Sequence, residues 1–223
     1  MTSWVRWTTC GALVGLTFAG HLPTGHAASP ATPSPMREYR TDSSQAPEVS
    51  GVGEWTAYHD QAVLPELTFE YPKNWLLGAD TRHKELYQQV MALGPAHPNS
   101  RYRANLVVRR MPTAAQGGSY KDLQALVAAR RKQWAAYPNF QLASEREETA
   151  AGVSGLRIDY LYTAPLPAQS VQAVPTTIQT STVSLALGGA LYEISYSADA
   201  RDYATYEPVF RHALERLQRI QTP

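Results

Sequence analysis

Apolar and polar residues alternate most regularly in the last fifth of the chain. Val183, Leu185 and Leu187 are separated by Ser184 and Ala186, and Tyr192, Ile194 and Tyr196 by Glu193 and Ser195. A period of two is that of a β-strand, whose successive side chains point to opposite faces. The two runs therefore predict a hairpin with one apolar face. Gly188-Gly189 between them can take the positive φ values of a primed two-residue turn, the type that matches the twist of paired strands. The period then changes. Tyr206, Val209, Phe210, Ala213, Leu214, Leu217 and Ile220 recur at spacings of three and four, with Arg211, His212, Glu215, Arg216 and Arg219 on the other side. This predicts an amphipathic helix that lies on a sheet.

Upstream the pattern is shorter in range. Trp55, Ala57 and His59 fit one side of a short strand, and Leu67, Phe69 and Tyr71 alternate with Thr68 and Glu70. Pro72-Lys73-Asn74 then predicts a turn into Trp75, because Pro fixes φ and Asn tolerates the backbone that reverses direction. Strands are expected at 86–93 and 104–111 with a loop at 94–103 between them. Ser119 followed by Asp122 resembles a capping box, and Leu123, Leu126, Val127, Trp134 and Tyr137 give the helix behind it an apolar stripe that Pro138-Asn139 ends. Strands at 141–147 and 155–162 follow, then a loop at 163–175 that holds three prolines. The order is strands, helix, four strands, helix.

The first fifty residues carry neither period. Arg6, an apolar run from Trp7 to Ala19 and Gly25-His26-Ala27 read as an export signal over 1–27, cleaved after Ala27. That run is shorter than the roughly 20 residues a membrane-crossing helix needs, so no stable span is expected after cleavage. Residues 28–50, with Pro30, Pro33, Pro35 and Pro47 among Ser, Thr and Ala, read as a linker, and 51–223 as a single domain. Loss of 1–27 removes Arg6 and no acid, so the 20 basic groups become 19 against 19 acidic ones. A neutral mature chain is not drawn to nucleic acid or anionic lipid. Cys10 is the single cysteine, so no intramolecular disulfide forms and stability rests on packing.

One ordered set of features gives a resemblance. Phe69-x-Tyr71-Pro72-x-x-Trp75, the strand Asn105-Leu106-Val107-Val108 before a capped helix, a strand ending Asp159-Tyr160, the hairpin with Leu191-Tyr192 and a final amphipathic helix together resemble the PsbP-like superfamily over roughly 55–220. The resemblance implies an α+β fold: an antiparallel sheet of about six strands with helices on both faces, an α-β-α sandwich. It also implies a mostly non-enzymatic family. Its members are extrinsic or assembly proteins of photosystem II in the thylakoid lumen, together with secreted bacterial proteins of unassigned role.

Candidate chemistry is sparse. Asp80, His83 and Glu85 fall within six residues and offer oxygen and nitrogen ligands to a divalent metal; His59-Asp60 is a similar pair, and His97 and His212 read as loop and helix-surface residues. Gly152-Val153-Ser154-Gly155 is one position short of a nucleophile elbow and no helix follows it, so it reads as a turn. Arg130, Arg131 and Lys132 late in the first helix complement its dipole, or with Arg109 and Arg110 form a basic docking patch for an acidic partner. Tyr160, Tyr162, Tyr192 and Tyr196 either pack in the core or line a groove. No cofactor is expected. The expectation is an exported, non-catalytic accessory protein that binds an envelope or lumenal protein through a sheet edge or groove, with a photosystem II-associated lumenal protein and a small hydrolase or metal-dependent enzyme as alternatives.

Overall fold

The computed structural model describes residues 54–168 and 170–220. The expected signal, linker and first residues of the domain lie outside them. The chain runs β1 (Trp55–Tyr58), β2 (Leu67–Pro72), β3 (Leu76–Asp80), β4 (Gln88–Ala96), β5 (Arg103–Pro112), α1 (Leu123–Trp134), β6 (Gln141–Ala150), β7 (Val153–Leu166), β8 (Val174–Leu187), β9 (Ala190–Asp199), α2 (Tyr203–Glu215) and β10 (Gln218–Arg219). Seven strands form one antiparallel sheet in the order β3-β4-β5-β9-β8-β7-β6, and β1-β2-β10 form a second, three-stranded sheet. The fold is α+β as expected, but the main sheet has seven strands instead of about six, and each face carries one helix.

The terminal hairpin forms as its pattern dictates. Val183 pairs with Ile194 and Leu185 with Tyr192, and Gly188 and Gly189 both take positive φ, 59° and 80°. Their apolar face receives α2, whose Tyr206, Val209, Phe210, Ala213 and Leu214 are buried with Tyr192, Ile194 and Tyr196 in the largest hydrophobic cluster. Burying apolar area at roughly 25 cal/mol per Å² makes this contact the main driving force of the fold. The helix is shorter than predicted. It stops at Glu215; Leu217 and Ile220 lie beyond it, where β10 pairs with β2 and the Ile220 N–H donates to the Glu66 carbonyl.

The start follows the same logic. The Trp75 N–H donates to the Pro72 carbonyl at 2.9 Å, closing the predicted turn, and Trp75 is buried against Tyr206 at 6.2 Å between ring centroids. Gly94 on β4 is required there, because a Cβ at that position would lie 2.6 Å from the indole. Sequence reading missed β3, a five-residue, half-exposed strand interrupted by Gly78, whose pattern has no clear alternation.

Two expectations need correction. The helix opens on Asp122 itself, whose Oδ1 accepts the Ala125 N–H at 2.8 Å, so Ser119 is not the cap. The region 163–175 is mostly strand: β7 runs on to Leu166 and β8 begins at Val174, with Pro165 opposite Pro175. Neither proline can donate to a ladder, so they occupy a pair whose backbone groups point outward, where proline costs no strand-to-strand bond.

Candidate interaction site

Alternate residues of β9 point to opposite faces, which sends Glu193 away from α2 and towards α1. There the Arg130 guanidinium binds its carboxylate with two bonds of 2.7 Å, and Arg109 adds a third contact at 3.5 Å. Arg109 also donates to Gln89. The Glu193 side chain is 4% exposed. Burial pulls the Arg130 pKa down, but the charge and hydrogen bonds of Glu193 outweigh it and hold the guanidinium above its ordinary value. This junction fastens α1 to the sheet, along with Leu126 against Met111 and Leu191 and Trp134 stacked on Tyr160 at 4.7 Å.

The five cations read as a docking patch are therefore divided. Arg110 follows Arg109 on β5 and so faces the other way, where it binds Glu66 at 3.1 Å beside the Tyr192 hydroxyl, which donates to the same carboxylate. Arg131 reaches Glu145 on β6, and Lys132 is exposed on α1. Only Arg131 and Lys132 remain side by side at the surface. The four tyrosines are also split between faces: Tyr192 and Tyr196 lie under α2, while Tyr160 and Tyr162 pack with Trp134 and Tyr137, and all four are buried. They are core and do not share a groove.

Two further carboxylates carry networks. Asp199 accepts from Arg201 at 2.8 and 2.7 Å and from the Ser100 hydroxyl at 2.7 Å. The Arg201 guanidinium first, then the serine hydroxyl and the Arg201 amide, hold its carboxyl well below the ordinary aspartate value despite burial. His97 lies 3.6 Å away, but its Nδ1 accepts the Asn99 and Ser100 N–H groups, both at 3.3 Å. Ser, His and Asp thus meet in an order unlike a nucleophilic triad, because the serine hydroxyl donates its hydrogen bond to the carboxylate and the imidazole braces the loop. A cleft of about 510 Å³ opens beside them, lined by Asn99, Ser100, Val174–Thr177 and Asp199–Arg201. On β7, burial would raise the Asp159 pKa, but bonds from Ser144 (2.5 Å), Ser181 and Arg157 (2.9 Å), with the Arg157 charge, lower it; Arg146 also donates to this carboxylate at 3.0 Å.

The residues read as metal ligands do not converge. Asp80 ends β3 and is clamped by Arg82 at 2.7 and 3.0 Å, while His83 and Glu85 form an exposed pair 3.8 Å apart. His59 contacts Thr68, and Asp60 accepts the Ala62 N–H. Among the described residues no three His, Cys, Asp or Glu side chains are gathered where they could hold an ion. Ser154 is the second residue of β7, opposite Thr149, just after the turn at Ala151-Gly152. His212 is a packing residue: its ring stacks on Trp55 at 3.6 Å and its Nε2 meets Glu70 at 2.7 Å.

What remains open is an edge. The outermost strands of the main sheet are β3, of five residues, and β6, of ten. In β6 only Ala150 is buried, there is no proline, and among the described residues its outer side pairs with no strand. Elsewhere the possible edges are short (β1, β10) or carry Pro165 and Pro175. Sequence reading placed a strand at 141–147 but had no signal for its place in the sheet, which depends on the whole topology.

Among the described residues, fold and surface together give a sheet-based α+β domain whose buried carboxylates are paired and whose β6 edge is long and unpaired. No protein-family model and no curated protein matches the chain. Among solved structures it is similar to LpqN, involved in cell envelope biogenesis of Mycobacterium tuberculosis (16% identity, 75% of this chain and 91% of that one, TM-score 0.48). It is also similar to PA94, a Pseudomonas aeruginosa protein of unknown function (18%, 77% and 99%, TM-score 0.43), and to PsbP of the cyanobacterium Synechocystis sp. PCC 6803 (14%, 79% and 98%, TM-score 0.46). The last bears the name of the family that the ordered set of features from Phe69 to the final helix resembles; what these proteins do is not carried to this chain. Among the described residues no helix is long and apolar enough to cross a membrane.

Proposed function

We propose that the chain is an exported, non-catalytic accessory protein that works by binding another protein in the cell envelope, and that β6 is the surface it offers. The observation that carries this reading is the β6 edge itself: a ten-residue strand without proline, exposed along most of its length. A free row of backbone donors and acceptors is a template for one more strand. The non-catalytic part is supported by the use of the inner carboxylates. Glu193, Asp159 and Asp199 are each held by arginine or serine in contacts that fasten one segment to another. Sizing the chain in mild detergent extracts of its own envelopes tests the proposal. Elution with a stoichiometric second protein is expected; elution at the mass of the free chain contradicts it.

A further inference from the structure

The side chains of β6 define the chemistry of the strand that fits it. In Gln141–Ala150 the central four residues are Glu145, Arg146, Glu147 and Glu148. Glu145 and Glu147 sit opposite Ile158 and Leu156 of β7 and so share the α1 face, while Arg146 and Glu148 share the α2 face with Arg157. The Arg146 charge is already taken by Asp159 at 3.0 Å, and Glu145 is met on one side by Arg131. Among the described residues Glu147 forms no ion pair.

A second copy of this chain fits the edge badly. Two β6 strands paired antiparallel about a two-fold axis normal to the sheet keep their faces, so the residue on the axis lies opposite itself. Any register centred on positions 145–148 then sets Glu against Glu or Arg against Arg, and like charges directly opposite destabilise a strand pair. The charges that stop an edge from pairing with itself thus select its partner.

We infer that the β6 edge binds an extended peptide segment of another protein by strand addition, and that this segment carries Lys or Arg at two alternate positions, facing Glu145 and Glu147. This deepens the accessory-protein reading and rests on it. The backbone row supplies the affinity and the two carboxylates supply the selection, so binding weakens with salt and with loss of either carboxylate.

The test uses the full chain and three capped eight-residue peptides: alternating Lys-Val, alternating Glu-Val, and Lys-Val with every second amide nitrogen methylated. Titration followed by amide NMR is expected to show Lys-Val binding, with shifts confined to β6 and β7. The Glu-Val and methylated peptides should bind at least tenfold more weakly. Glu147→Lys should weaken Lys-Val about tenfold and strengthen Glu-Val, on an unchanged amide spectrum outside β6. Equal binding of the methylated peptide, shifts centred on another element, or no Lys-Val binding would overturn the inference. If that happened while the chain still eluted as a complex from envelope extracts, the accessory reading would stand on another surface.

Discussion

The two helices cover opposite faces of one sheet and are held there by different forces. Helix α2 buries Tyr206, Val209, Phe210, Ala213 and Leu214 against Tyr192, Ile194 and Tyr196. Helix α1 buries only Leu126, Val127 and Trp134 within its length, and adds a doubly bonded Arg130–Glu193 pair. An apolar contact is non-directional and tolerates small shifts; a bidentate pair between guanidinium and carboxylate fixes register but repays its desolvation only while both partners are present. The α2 face is the thermodynamic core of the molecule, and the α1 face is positioned by charge. With Arg130 and Arg109 taken up by Glu193 inside, Glu147 of β6 is left at the surface without an ion pair among the described residues, and Glu145 is met only by the exposed Arg131.

The largest effect is expected from the apolar face. Phe210→Ala should cost about 4 kcal/mol, the usual range for truncating a fully buried aromatic, read as the urea midpoint of unfolding at constant slope. On the other face Glu193→Ala leaves Arg130 buried without its counter-charge and should cost about 3 kcal/mol. The double change Glu193→Leu with Arg130→Met should recover most of that loss, as apolar replacements of buried pairs commonly do. A double variant no better than Glu193→Ala would show that α1 depends on the charge pair beyond its own neutralisation.

Acid offers a milder test. The Asp159 and Asp199 carboxyls are held below their unfolded values, Asp199 mainly by Arg201. On lowering the pH the unfolded chain takes up protons first, so their contribution is complete above about pH 4, the ordinary aspartate range, and is lost as pH falls below it. Denaturation midpoints measured from pH 7 down to pH 2 should decline in that window, and Asp199→Asn should flatten the decline. The smallest change is expected at the rim of α1: Arg131→Ala removes an exposed partner of Glu145 and should alter stability by less than about 1 kcal/mol. A larger loss in the same midpoint assay would mean that α1 is pinned from its outer side as well.

The same contrast explains what the sequence could reveal. A face made by apolar alternation writes its own period, so the hairpin and its Gly188-Gly189 turn are legible residue by residue, and α2 is legible except for its end at Glu215, past which the apolar spacing runs on to Leu217 and Ile220. A face made by charge does not. Arg109 and Arg130 read as surface cations because a linear pattern cannot show that Glu193, 63 residues from Arg130, lies beneath them. The Asp199 network joins Ser100 to a partner 99 residues away, with no spacing to betray it. Pro165 and Pro175 argued for a loop, yet face each other across a ladder that does not need their missing N–H groups. The β6 strand was legible as a strand, while its place at the edge was set by the order of all seven.

Photocrosslinking in the protein's own cells asks whether it acts through β6, with a benzophenone amino acid placed in the full chain at Glu147 on β6, at Gly78 on the opposite edge, or at Lys132 on α1. One adduct, formed from position 147 and mapping to an extended basic segment of a single partner, is the predicted result. Adducts from position 78 or 132 with none from 147 would contradict it.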